Sequence, residues 1–130
     1  MIKTKLKILV VDDMASMRLL VAQYLKKNEF VTLVGEAGEA EEAISKVKEL
    51  KPDIVLMDIS LTGMSGIEAT KRIKAILPFV RVYLFSAYQA HEFFDLMANS
   101  PADGFIQKSS IKAELMEMIE KEVKRRGLKK

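Results

Sequence analysis

With 130 residues, 49% of them hydrophobic and 30% charged, the chain suits one soluble globular domain able to bury a substantial core, with no room for a second. No apolar stretch approaches the roughly 20 residues that a membrane span requires, residues 1–5 carry no small-residue cleavage site, and zero cysteines exclude disulfides, thiolate metal sites and cysteine nucleophiles. The net charge of +3 is modest, and six cations (Lys121, Lys124, Arg125, Arg126, Lys129 and Lys130) crowd into residues 121–130, where they suit the dipole of a terminal helix better than a nucleic-acid or membrane contact.

The first apolar run, Lys7-Ile8-Leu9-Val10-Val11, is continuous rather than alternating, as in a parallel strand buried on both faces, and it ends in Asp12-Asp13. Met17, Leu20, Val21, Tyr24 and Leu25 then recur at helical spacing, with Asp13 or Ser16 as the expected N-cap. A second strand is expected near residues 30–36. Ala40, Ala43, Ile44, Val47 and Leu50 mark the next helix, after which Lys51-Pro52-Asp53 turns the chain into Ile54-Val55-Leu56-Met57. That run ends in Asp58, and Gly63 and Gly66 frame the following loop. Ile67, Thr70, Ile73 and Leu77 predict a third helix, stopped by Pro78.

A strand over residues 80–85 carries Val82-Tyr83-Leu84-Phe85 and ends in Ser86. The fourth helix is expected to present Ala90, Phe94, Met97 and Ala98 and to end near Ser100-Pro101. Gly104-Phe105-Ile106-Gln107 is a short last strand ending in Lys108, and Ile111, Leu115, Met118, Ile119 and Val123 give the closing helix. Strand and helix thus alternate throughout, without repeats or low-complexity segments. The prediction is an α/β fold: a doubly wound, five-stranded parallel sheet with right-handed crossovers and helices on both faces.

Open parallel sheets gather their chemistry beyond the carboxyl ends of the strands. There the apolar runs would deliver Asp12, Asp13, Asp58, Ser86 and Lys108 to one place. Two unit charges about 4 Å apart interact by roughly 4 kcal/mol at an effective dielectric near 20, so three crowded carboxylates call for a cation. Oxygen ligands suit Mg²⁺, with Mn²⁺ as the alternative, and magnesium takes few protein carboxylates while keeping waters and phosphate oxygens. Phosphoryl chemistry follows, since the Ser86 hydroxyl can donate to a phosphoryl oxygen and Lys108 can pair with it. Taken singly, each aspartate also suits a helix or loop cap, Ser86 a structural hydroxyl and Lys108 a solvated cation. The ordered set carries the reading. The stretch His91-Glu92-Phe93-Phe94-Asp95 has the outline of a zinc-peptidase helix, but Asp95 stands where a second histidine is needed.

These residues make the chain resemble the receiver domains of bacterial two-component response regulators, the CheY-like family, with one receiver domain over residues 1–130 and its core in 6–126. The carriers are Val11-Asp12-Asp13 with Arg18 beyond, Leu56-Met57-Asp58, Gly63-Met64-Ser65-Gly66, Ser86-Ala87 and Asp103-Gly104-Phe105-Ile106-Gln107-Lys108. The resemblance implies a flavodoxin-like strand order, 2-1-3-4-5, and a signalling domain rather than an enzyme, catalysing at most its own phosphorylation and dephosphorylation. By the same resemblance Asp58 is the phosphoacceptor, taking a phosphoryl group from a sensor histidine kinase or phosphotransfer protein. Asp13, Asp58 and the backbone carbonyl of Ser60 would ligate Mg²⁺, with Asp12 acting through water, while Ser86, the Ala87 backbone amide and Lys108 would hold the phosphoryl oxygens.

In the family a switch couples the residue matching Ser86 to an aromatic, here Phe105 where most members have Tyr. It remodels the face of the fourth helix, fifth strand and last helix, including His91, Glu92, Asp95, Phe105 and Lys112, toward an output partner or a homodimer formed on phosphorylation. A cytoplasmic location, with no membrane contact and no direct nucleic-acid binding, completes the expectation. Two positions depart from the family: Thr62 and Ser109 stand where proline is usual, and with Ser109 a trans Lys108–Ser109 bond is expected, because a non-proline cis bond costs about 2.5–4 kcal/mol. The alternatives are the receiver portion of a longer DNA-binding regulator, a magnesium-dependent phosphatase of the haloacid dehalogenase kind, which needs an acid where Ser60 stands, and a flavodoxin, whose FMN phosphate Asp12-Asp13 would repel.

Overall fold

Continuous apolar runs become strands covered on both sides, and the computed structural model, which describes residues 5–61, 63–87 and 100–128, has five of them. In chain order they are β1 (Leu6–Val11), β2 (Val31–Ala37), β3 (Ile54–Asp58), β4 (Arg81–Ser86) and β5 (Gly104–Gln107). All pair in parallel, in the order β2-β1-β3-β4-β5. The expected architecture and strand order are both observed. Thr62 and the expected fourth helix, with Ala90, His91, Glu92, Phe94, Asp95, Met97 and Ala98, lie outside the described residues.

Alternate side chains of each strand feed opposite cores. Ile8, Val10, Leu56, Tyr83, Phe85 and Ile106 pack against α1 (Ala15–Lys26) and the C-terminal helix (Ile111–Arg125) through Val21, Leu25, Leu115 and Ile119. Leu9, Val11, Val55, Met57, Val82 and Leu84 face α2 (Ala40–Leu50) and α3 (Gly66–Ile76) through Ala43, Val47, Ala69 and Ile73. Each fully buried Leu or Ile contributes roughly 1.5–3 kcal/mol. Leu77 ends α3 just before Pro78, whose ring disfavours a helical residue ahead of it. Ser65 caps the other end, its hydroxyl accepting from the Glu68 amide at 3.1 Å.

Two local expectations are corrected. The N-cap of α1 is Met14, not Asp13 or Ser16, and no side chain caps it there. The Asp12 carboxylate instead accepts from the Met14 amide at 2.9 Å, turning the chain before the helix begins and leaving Asp13 outside it, exposed. The buried face of the C-terminal helix also includes Glu122, which is 0% exposed. Its carboxylate accepts from the Tyr83 hydroxyl at 2.5 Å, from Arg81 at 2.9 Å and, on the other oxygen, from Arg125 and Arg126 at 3.3–3.4 Å.

The Glu122 cluster belongs to a larger ion network at the amino end of the sheet. Asp103 pairs with Lys74 at 2.7 Å and with Arg81 at 3.0 Å while accepting from the Val82 amide, and Asp53 meets Arg126 at 3.8 Å. Part of the basic terminus is therefore fastened to the domain base. Burial and the bond to Glu122 push the Tyr83 phenol up to about 12. Burial opposes the Glu122 charge, but the Tyr83 and Arg81 hydrogen bonds outweigh it and hold the carboxyl below its ordinary range.

Candidate functional site

Parallel register brings the strand ends to one level. Val11 lies beside both Ala37 and Met57, Asp58 beside Phe85, and Ser86 beside Gln107, so the residues that follow these ends converge. The Asp12 amide extends the pairing by donating to the Ala37 carbonyl at 3.0 Å. Oxygen atoms of Asp12, Asp13 and Asp58 lie within 4.8 Å of one another. Asp12 is 0% exposed and Asp58 5%, whereas Asp13 faces solvent.

The Lys108 ammonium stands 3.2 Å from carboxylate oxygens of both Asp12 and Asp58. Asp58 also accepts from the Ser60 amide at 3.1 Å through its other oxygen. Asp58, Ser60, Ser86, Ala87 and Lys108 together line a cavity of about 250 Å³. All the sequence-predicted site residues except Phe105 thus sit around one point. Phe105 lies one strand away on β5, partly buried against the core facing α2 and α3. Lys108 opens a 3₁₀ turn, Lys108–Ser110, and the Lys108–Ser109 bond is trans.

The floor of the site leaves no spare room. A Cβ on Gly66 would lie 2.5 Å from the Asp58 carbonyl oxygen, so α3 can begin directly against the phosphoacceptor candidate only with glycine there. Contacts of two side chains escaped the sequence reading. Arg18 donates to the Asp12 carbonyl at 2.5 Å and to Glu36 at 3.2 Å, tying the β1–α1 loop to the end of β2. Phe85 lies beneath Lys108, with the ammonium 5.3 Å from its ring centroid. An aromatic directly before Ser86 was the available signal, but strand periodicity marks Phe85 only as core.

The electrostatics are those of an under-neutralised site. Burial, then the nearby Asp58 charge, pushes the Asp12 carboxyl up against the opposing pull of the Met14 amide and Lys108. Burial opposes the Lys108 charge, but Asp58 and Asp12 together outweigh it and raise its affinity for the proton. One oxygen of Asp12 is buried without a hydrogen-bond partner of good geometry among the described residues, although Lys108 is near. A buried carboxylate oxygen met by the Lys108 ammonium alone among the described residues, beside two further carboxylates, is a hard-oxygen donor set, and it fits a magnesium ion that keeps part of its water.

Comparison with known proteins gives the same picture. Residues 8–120 match the response regulator receiver domain family. The response regulator protein VraR of Staphylococcus saprophyticus is 34% identical over 116 residues, covering 89% of this chain and 56% of VraR, so the chain spans little more than half the length of that relative. The response regulator domain of Thermotoga maritima CheB superposes with a TM-score of 0.79 at 32% identity, over 90% of this chain and 95% of the other. CheY in a CheX-CheY-BeF3-Mg complex from Borrelia burgdorferi superposes at 0.77 with 26% identity, over 88% and 86%. A five-stranded sheet in this order, three clustered aspartates with a lysine, and a family match over most of the length lead to one conclusion: the chain belongs to the response regulator receiver domain family.

Proposed function

We propose that the chain is a phosphorylation-switched receiver in which Asp58 accepts a phosphoryl group from the phosphohistidine of a sensor kinase or phosphotransfer protein. The supporting observation is the convergence of three carboxylates within 4.8 Å on one ammonium, over a cavity lined by Ser60, Ser86 and Ala87. An Asp58 oxygen attacks phosphorus as the phosphorus–nitrogen bond breaks; the imidazole keeps the bonding pair and takes a proton from water. Asp58 gains an acyl phosphate, and Lys108 exchanges the carboxylate for a phosphoryl oxygen. Ser86 and the Ala87 amide donate to the other oxygens.

Asp13, Asp58 and the Ser60 carbonyl would hold Mg²⁺, with Asp12 acting through water. When bound, the ion supplies the positive charge that draws carboxylates and phosphoryl oxygens together. In this reading Ser86 moves toward the phosphate and Phe105 turns into the space it leaves, which changes the surface around β5 and Lys112 seen by an output partner or a second copy. The domain is not an enzyme beyond its own phosphorylation and dephosphorylation, and it acts in the cytoplasm. No helix among the described residues is long and apolar enough to cross a membrane.

The proposal is tested by intact-mass spectrometry after incubation with acetyl phosphate and Mg²⁺. One added phosphate is expected on the unaltered chain and none on Asp58→Asn; labelling that survives the substitution rules Asp58 out. A second reading, in which this receiver is the input portion of a longer DNA-binding regulator, is favoured by its spanning 56% of the length of VraR. Reading the surrounding coding sequence to its stop codon decides between them.

A further inference from the structure

We propose that Phe85 is a positioning residue for Lys108, its ring face giving the ammonium a contact that persists while both carboxylate partners change. This inference rests on the receiver reading above. The ammonium lies 5.3 Å from the Phe85 ring centroid, within the roughly 6 Å over which a cation is drawn to the electron-rich face of an aromatic ring. Its two other described partners are Asp12 and Asp58, each at 3.2 Å. Phosphorylation converts Asp58 to an acyl phosphate, and a hydrated metal competes for Asp12. Of these three contacts only the ring keeps its charge distribution through the cycle.

Two further observations support a role for that ring. Phe85 is 1% exposed and stands in register with Asp58, and its carbonyl accepts from the Ile59 amide at 3.0 Å, so its backbone is anchored beside the acceptor. Lys108, by contrast, enters a 3₁₀ turn followed by Ser109 rather than by a proline ring that would fix the chain. The groups that touch its ammonium therefore share in aiming it. A phenylalanine that only filled the core would make the same packing contacts, and the two roles separate when the ring is made electron-poor at nearly constant volume.

The chain has six phenylalanines, so 4-fluoro-, 3,5-difluoro- and 3,4,5-trifluorophenylalanine are introduced by site-specific incorporation at position 85 alone. The rate of phosphorylation by acetyl phosphate at saturating Mg²⁺ is expected to fall stepwise along the series, by roughly two- to thirtyfold overall, with the melting temperature unchanged. Phe85→Leu should show a loss at least as large, but it also leaves a cavity, so the fluorinated series decides. In the metal-free chain, NMR should find the Lys108 side chain shifted upfield by the ring current, an effect lost in Phe85→Leu. Equal rates across the series, rate losses that track falling melting temperatures, or a Lys108 signal indifferent to Phe85→Leu would each overturn the positioning role. Failure of the unmodified chain to take phosphate from acetyl phosphate would instead overturn the receiver reading beneath it.

Discussion

The two ends of the sheet each gather three carboxylates and treat them in opposite ways. At the amino end, Asp53, Asp103 and Glu122 meet four cations, Lys74, Arg81, Arg125 and Arg126, together with the Tyr83 hydroxyl. At the carboxyl end, Asp12, Asp13 and Asp58 crowd together, and the ammonium of Lys108 reaches two of them. A buried carboxylate without compensation costs several kcal/mol; the first arrangement offsets that cost with matched cations, while among the described residues the second does so only in part. The missing positive charge is what a divalent ion would supply. The comparison teaches that ionic clusters of similar size at opposite ends of the same sheet differ in how fully their carboxylates are neutralised.

The largest expected effect tests the amino end. Glu122→Gln leaves three guanidinium groups facing a neutral side chain, and urea denaturation should record a loss of about 3–5 kcal/mol with the phosphorylation rate of the folded fraction unchanged. A cost below about 1 kcal/mol would mean that the network is not the clamp described. Alkaline titration sharpens the same point. Tyr83 is pushed up to about 12 in the folded state against 10.0 ordinarily, so the fold holds this proton more tightly than the unfolded chain does. Its contribution is complete below pH 10.0 and fades as pH rises toward about 12. The decline amounts to roughly 2–3 kcal/mol, and it should be shallower in Tyr83→Phe; parallel curves for the two proteins would remove Tyr83 as the cause.

At the carboxyl end the balance is reversed. Asp13→Ala removes a metal-ligating candidate from an exposed position and relieves like-charge repulsion, so thermal stability should hold or rise slightly. Calorimetry should find Mg²⁺ binding weaker by about tenfold, or about 1.4 kcal/mol; unchanged affinity would exclude Asp13 from the metal site. The smallest signal is conformational. Beryllofluoride with Mg²⁺ should shift backbone NMR resonances not only around Asp12, Asp58 and Ser86 but also at Phe105 and Lys112. Perturbation confined to the loops would show that the charge event stays local.

Much of this was legible in the chain itself. Ile54-Val55-Leu56-Met57 is continuous, apolar and followed by Asp58, and those properties alone place a carboxylate at the mouth of a buried parallel strand. The same logic located Asp12, Ser86 and Lys108. It failed where two outcomes share one local pattern. Asp13 looks like a helix cap, yet the Asp12 side chain turns the chain first and Met14 takes the cap position. Glu122 falls among charged residues near the end of an amphipathic helix and reads as solvated until Arg81 and Tyr83, on β4, close over it.

The sequence by itself therefore determined the alternation of strands and helices, the faces of the described helices and the identity of the groups at the site, because periodicity and chain order are local properties that survive any particular packing, whereas the strand order came only through the family resemblance. Only the tertiary structure decided which carboxylates are matched and which are not, and that Phe85 rather than another core residue lies under the Lys108 ammonium. Those choices depend on distances between residues far apart in the chain. The physical reason is that charge is neutralised by what lies within a few ångströms in space, and no repeat in the sequence encodes that distance.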